Sequence, residues 1–323
     1  MKVFMKLGYH ASHEQFPPSE LLKLVQKAEE AGFEAVLSSD HFHPWSNKQG
    51  ESGFAWSWLG AAMQATNLEF GIVNAPGQRY HPAIIAQAVA TLDEMFPKRF
   101  WIATGSGQAL NENITGDKWP SKENRNQRLQ EAVEVMRELW KGDYVTHYGI
   151  IKVEEAKLFT PPTQMPTVFG AAITLKTAKW LAGWTDGLIT ISKPIEELKE
   201  MVDVFRSNGG ENKPMALKVQ VSYSATKEKA LQGAYEQWKN NIFPSKLTSE
   251  LNTPEQFDDM GEKVRKEDIE KYVITGSDPQ LFIDKIHAFK ALGFEKIMLH
   301  NVNEEQEKFI DFFGNKIRPE FQK

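Results

Sequence analysis

Two short runs bring together the residue types that acid–base chemistry needs: Ser38-Ser39-Asp40-His41-Phe42-His43-Pro44-Trp45 and Gly105-Ser106-Gly107-Gln108-Ala109-Leu110-Asn111-Glu112. Imidazole titrates near neutrality, so His41 is suited to taking or giving a proton at a reacting hydroxyl. Gln108 keeps both hydrogen-bonding ends of an amide but has no proton to deliver as an acid, which leaves Glu14 or Glu112 to fill that role if one is needed. A third run, Gly170-Ala171-Ala172-Ile173-Thr174 with Thr177 one turn further, precedes a helical stretch. Small residues there admit close backbone approach and a helix N-terminus offers free N–H groups to a phosphate, although packing alone also calls for small residues. His41 and His43 have the HxH spacing of a metal hydrolase, yet of the eight histidines only His300 stands at a late strand end. Such a site is short of ligands, so no metal is expected.

These residues need a scaffold that gathers them. Strand-like runs recur at residues 3–9, 35–38, 69–73, 100–104, 167–169, 187–190, 217–223 and 296–300. Amphipathic helical stretches lie between them, clearest at 82–95, 122–140, 195–207, 227–240 and 279–292, and alternation of this kind favours a parallel sheet with helices outside it. Eight units predict a (β/α)8 barrel, read as one domain over residues 1–323. Residues 142–166 and 243–271 break the rhythm and read as loop insertions, the second as a lid over the barrel mouth. In such a barrel the C-terminal strand ends carry the active site, which is where the first two runs fall.

Composition narrows the class. With 41% hydrophobic and 25% charged residues the chain can bury a large core, and a formal charge of -5 without a basic block disfavours nucleic acid as a partner. The absence of cysteine excludes disulfides, thiol nucleophiles and Cys-ligated metals. No apolar run approaches a membrane span, and the first residues lack a secretory signal, so a cytoplasmic enzyme without membrane association is expected.

Several motifs together carry a family resemblance: Gly8-Tyr9-His10-Ala11-Ser12-His13-Glu14-Gln15-Phe16, the Ser-Asp-His-Phe-x-Pro-Trp run ending at Trp45, Arg79-Tyr80-His81-Pro82 with Ala86-Gln87-Ala88, and the run ending at Glu112. In this order they resemble the bacterial-luciferase-like oxidoreductases over nearly the full length, in particular the F420-dependent glucose-6-phosphate dehydrogenases. The resemblance implies that His41 is a catalytic acid/base with Trp45 near the reacting carbon, and that Asp40 touches the cofactor ring. It also implies cofactor contacts at Val73 and Asn74 at the end of the third strand, at Gly107 and Asn111, and at Gly170, Ala171, Ala172 and Thr174.

Two departures redirect the functional expectation. Gln108 replaces the glutamate of the family's Gly-Ser-Gly-Glu motif. Of the sugar-phosphate contacts Thr190 and Lys193 persist, while the other two basic positions fall near Asp259 and Tyr272. Each lost charge-assisted contact costs roughly 1.5–3 kcal/mol, which makes glucose 6-phosphate a poor substrate. The departures resemble a luciferase-like group that uses ordinary flavin. The expected function is therefore an FMN-dependent monooxygenase or dehydrogenase acting on a small organic molecule, with His41, Trp45, Gln108 and Glu14 as its catalytic set. NAD(P)H or a flavin reductase is its expected reductant, and a homodimer its expected assembly. The alternatives are an F420-dependent sugar or alcohol dehydrogenase and a flavin-binding barrel without turnover.

Overall fold

The computed structural model describes residues 5–322. In chain order the strands are β1 (Lys6–Ala11), β2 (Ala35–Ser39), β3 (Glu69–Asn74), β4 (Phe100–Thr104), β5 (Val145–Tyr148) and β6 (Lys152–Ala156). They continue with β7 (Val168–Ala171), β8 (Gly187–Ile191), β9 (Met215–Tyr223), β10 (Ile274–Gly276) and β11 (Lys296–Asn301). Parallel pairing runs β1-β2-β3-β4-β7-β8-β9-β11 and returns to β1, closing an eight-stranded (β/α)8 barrel. Short β10 extends the top of β9, from Ile274↔Val221 to Gly276↔Tyr223.

Helices α1 (Pro18–Glu30), α2 (Ala55–Ala65), α3 (Pro82–Met95), α4 (Ala109–Glu112), α5 (Lys122–Trp140), α6 (Leu175–Leu181) and α7 (Ile195–Phe205) follow the strands in turn. After β9 come α8 (Lys227–Trp238), α9 (Ser245–Thr248), α10 (Pro254–Gly261), α11 (Lys266–Ile269), α12 (Pro279–Ala291) and, last, α13 (Gln306–Phe312). Local chemistry sets their starts: Ser121 caps α5 by accepting from the Asn124 N–H, and α3 begins on Pro82 with the His81 ring accepting from Ala83. None of the described helices is long and apolar enough to cross a membrane.

Period-two alternation along the strands builds two cores. Leu7, Val36, Phe70, Ile102, Leu188 and Leu217 face the helices, whereas Leu37, Trp101, Phe169, Ile189, Ala216 and Met298 fill the barrel interior. Glycines make room for the bulky interior side chains: a Cβ on Gly71 would lie 2.2 Å from the Trp101 indole, and one on Gly8 2.1 Å from Met298 Sδ. Glu69 closes the N-terminal end by pairing with Lys6 and Lys296. Towards the C-terminal end the interior turns polar, with His10, His13, Glu14, Ser39, Asp40, Asn74, Gln220 and His300 all buried.

Three expectations need correction. The first strand is Lys6–Ala11 rather than residues 3–9, of which positions 3 and 4 lie outside the described residues. Residues 142–166 are not all loop, since β5 and β6 form an antiparallel hairpin. Glu131 of α5 accepts from the Ile150 and Ile151 N–H groups, and the hairpin leans on the barrel's outside. Its strands are short and largely solvent-facing, so neither carries an apolar stripe. Helix α2 was also missed, because its Ala55–Ala65 sequence is apolar on nearly every side and shows little helical period.

Residues 243–271 fold into α9, α10 and α11. Ser249 accepts from the Ala109 N–H at 3.0 Å, and Asn47 donates to Glu255 and Asp258, each at 3.0 Å. The segment therefore ties the loop after β4 to the loop after β2 across the C-terminal face.

Candidate active site

The loop after β2 is held by its own polar groups. Asp40 is buried, and its carboxylate accepts from Asn74 Nδ2 at 2.7 Å, Tyr80 Oη at 3.1 Å and Trp56 Nε1 at 3.2 Å. Arg79 adds an ion pair at 3.4 Å and donates to the Asp40 carbonyl at 2.8 Å. Asn111 Oδ1 accepts from the backbone N–H groups of Phe42 and His43, at 2.8 and 3.1 Å, while His43 Nδ1 donates to the Leu110 carbonyl at 2.8 Å. Loops from β2, β3 and β4 are thus locked together around His41.

His41 has a carboxylate beside it. Glu14 Oε1 lies 2.8 Å from His41 Nδ1, close enough for an ion pair although off the line of a well-aligned hydrogen bond. Its other oxygen accepts from Ser39 Oγ at 2.7 Å and Ser12 Oγ at 3.0 Å. Burial alone would push the Glu14 carboxyl up, but the neighbouring His41, and then His10 and Lys218, hold it well below the usual carboxylate range. The His41 ring stands edge-on to Trp45 at 4.8 Å, and Trp45 packs against Phe257 of α10 at 5.3 Å.

Across from this dyad, the loop after β4 turns on Gly107 at φ +78, where a Cβ would also crowd Glu112 at 2.9 Å. Gln108 is half-buried, and its side-chain amide makes no hydrogen bond among the described residues. Glu112 is fully committed instead. It accepts from the Arg79 N–H at 2.9 Å, lies 3.6 Å from Arg79 Nε, and is pushed up by burial against the pull of that arginine. Glu14 rather than Glu112 is the carboxylate placed against His41. Arg125 of α5 is buried, stacked on Trp119 at 4.4 Å and paired with Glu250 at 3.1 Å.

The remaining sequence candidates divide by position. Val73 and Ala171 cap the interior core, and the bonds flanking Asn74 are trans, as are all peptide bonds of the described residues. Gly170 faces the helix layer, where a Cβ would meet Leu181 at 2.8 Å, so its smallness serves packing. Ala172 is buried and donates to the Ile189 carbonyl, and exposed Thr174 caps α6. Thr190 is buried with Oγ1 unpartnered, and Lys193 donates to the Ile173 carbonyl at 2.7 Å. Tyr272 lines a groove of about 420 Å³ with Lys193, whereas Asp259 sits exposed on α10 and does not line it. Among the described residues no three His, Asp or Glu side chains form a metal-ligand set, so the HxH pair has no third ligand.

Of the polar residues at strand positions 10, 218 and 300, His10 stands in a family motif and His300 at a late strand end, while half-buried Lys218 carried no assignment. His10 and His300 pack at 4.3 Å, and Lys218 reaches Trp238. Their signal was the appearance of polar residues at inward positions of otherwise apolar strands.

The barrel, with its Glu14–His41 pair on the loops after β1 and β2, has known relatives. Residues 1–296 match the sequence profile of the luciferase-like monooxygenase family. The chain belongs to that family. This luciferase-like barrel is 33% identical to an F420-dependent glucose-6-phosphate dehydrogenase of Mycolicibacterium gilvum, covering 99% of this chain and 98% of the relative. The same-named enzyme of Microbacterium testaceum is 34% identical, with coverage of 100% and 99%. Among solved structures, an F420-dependent secondary alcohol dehydrogenase in complex with an F420-acetone adduct superposes with a TM-score of 0.90 at 30% identity, over 98% of both chains. Monooxygenase RslO1 from Streptomyces bottropensis, at 18% identity and a TM-score of 0.76, shares the fold. The luciferase-like chain is thus an oxidoreductase-family barrel.

Proposed function

We propose that this barrel is a flavin-dependent oxidoreductase of a small organic substrate, with FMN as its cofactor. The observation that carries the reading is the Glu14–His41 pair beside Trp45 at the barrel mouth. His41 moves the proton at the substrate's reacting oxygen, and Glu14 holds the ring and balances its charge when protonated. Bound flavin supplies hydride acceptance or donation, or oxygen activation in the monooxygenase form of the reaction.

The residues present fit a flavin. Asn74 Oδ1 is buried without a partner while its Nδ2 is fixed on Asp40, so the amide offers an oriented acceptor to a ring N–H. Gln108 offers a free amide, and Gly107 keeps the backbone open beside it. Lys122 is exposed, donates to Ser106 Oγ and has no carboxylate partner among the described residues, which suits it to a cofactor phosphate. Gln108 in place of an acid separates the chain from the dehydrogenase pattern and favours FMN.

A second reading, F420 as cofactor with an alcohol or sugar as substrate, is supported by the names of the relatives. Absorbance titration and native mass spectrometry with FMN, FAD and F420, oxidised and reduced, test both. Tight FMN and weak F420 binding supports the proposal. Preference for F420 replaces it with the second reading, and binding of none of the three leaves a barrel without redox turnover. Asn74→Ala is expected to weaken cofactor binding by about tenfold, the worth of one buried hydrogen bond.

A further inference from the structure

We propose that the barrel interior beside the Glu14–His41 pair contains a subsite for the carboxylate of a small hydroxy acid, with Lys218 as the group that binds it. The inference rests on the oxidoreductase reading only for what happens to the ligand, not for the site itself.

Lys218 lies on β9 between Leu217 and Val219, both of which face the helices, and one step beyond Ala216 of the interior core. Alternation therefore turns its side chain into the barrel, and its Nζ stands 5.6 Å from the centre of the Trp238 ring. Lys218 is half-buried, and its ammonium has no hydrogen bond and no ion pair among the described residues. The one carboxylate that acts on it is Glu14, whose oxygens are already taken by His41, Ser12 and Ser39.

Two histidines complete the surroundings. His10 and His300 are 2% and 1% exposed, their rings 4.3 Å apart, and His300 stands edge-on to Trp238 at 4.8 Å. Each has a buried Nδ1 without a partner. The role of the His300 nitrogen follows from its neighbours. Gln15 Nε2 donates to Gln237 Oε1 at 3.2 Å and to the Val302 carbonyl at 2.8 Å, so Gln15 Oε1 accepts from His300 Nε2 at 3.1 Å. With its proton on Nε2, neutral His300 presents Nδ1 as a bare acceptor.

A half-buried ammonium without an anionic partner, beside a buried acceptor without a donor, offers a ligand two complementary contacts. A carboxylate answers Lys218, and a hydroxyl proton answers His300 Nδ1. An anion held there meets the Lys218 ammonium, whose pKa burial lowers and an anion would raise, while His10 and His300, both held well below the usual histidine range, add no competing charge.

The test compares lactate with propane-1,2-diol, its neutral counterpart, by calorimetry and tryptophan fluorescence on the cofactor-free and the FMN-loaded protein. Lactate is expected to bind at least about tenfold more tightly than the diol, and Lys218→Met to abolish that preference without changing the diol's affinity. Lys218→Gln, checked for folding by circular dichroism, repeats the comparison if the methionine variant does not fold. Equal binding of lactate and diol by the wild type, no lactate binding, or unchanged lactate affinity in a folded Lys218 variant overturns the proposal. Lactate preference in a protein that binds no flavin would sink the oxidoreductase reading and leave the subsite standing. Flavin binding without that preference would do the reverse.

Discussion

Glu14 divides its two oxygens between different tasks: one faces His41 at 2.8 Å, and the other is anchored by Ser12 and Ser39. Glu14→Gln keeps the shape and the hydroxyl contacts and removes the charge. Its expected effect is a fall in kcat of about tenfold with little change in KM, whereas His41→Gln removes the proton-transfer group itself and should cost about 10²–10⁴-fold. Steady-state kinetics on the substrate that emerges from screening checks both, and a Glu14→Gln variant with wild-type kcat would end the positioning role. Gln108 has the opposite character, an amide that the protein leaves unused. Gln108→Ala is therefore expected to leave thermal stability within about 0.5 kcal/mol while weakening cofactor or substrate binding, a split read by calorimetric unfolding set beside a binding titration.

The elements place these residues through close fits that a single atom can disturb. Gly71 on β3 lies against the Trp101 indole, and Gly71→Ala would put a Cβ 2.2 Å from it. The indole is buried against Phe169 at 4.8 Å, so the variant is expected to lose about 1–3 kcal/mol of stability, measured by denaturant titration. Helix α10 acts on function rather than on the barrel, because Phe257 braces Trp45 and Trp45 braces His41. Phe257→Ala should raise KM or lower kcat with wild-type cofactor affinity. Loss of cofactor binding in that variant would show that the 243–271 segment belongs to the cofactor site instead. The contacts of this segment were not legible in the sequence, because Ser249, Glu255 and Asp258 meet loops lying more than a hundred residues away.

Across the whole molecule, the polar interior makes stability depend on pH. His10 and His300 are held well below their ordinary value of 6.5 by burial and by Lys218, and His13 is held by burial at about 4. The unfolded chain therefore binds protons below pH 6.5 that the folded chain refuses, so stability is full above that pH and falls as the solution becomes more acid. Each histidine contributes a slope of up to about 1.4 kcal/mol per pH unit, and the three together up to about 4. The depressed Glu14 carboxyl works in the same direction further down, its contribution being present above about pH 4.5 and lost as pH falls through its lowered value. Denaturation midpoints measured from pH 7.5 to 5 should fall steeply, and His300→Gln should remove about a third of the slope; a flat profile would show that these rings take up protons in the fold. The barrel itself was legible in the sequence because alternation along each strand records which side chains face the helices and which the interior, a local pattern that survives in one dimension. His41, Glu14 and Asp40 were legible as residue types at strand ends. What only the tertiary structure decided is which groups are already committed: Asp40 and Glu112 to Arg79, Gly170 to Leu181, and Asn111 to the loop after β2. His10 and His300, each with an unpartnered Nδ1, and Lys218, without a hydrogen bond or ion pair among the described residues, stand apart from these. Commitment depends on partners brought together by closure of the barrel, and strands β1, β9 and β11 lie too far apart in the chain for spacing to reveal it.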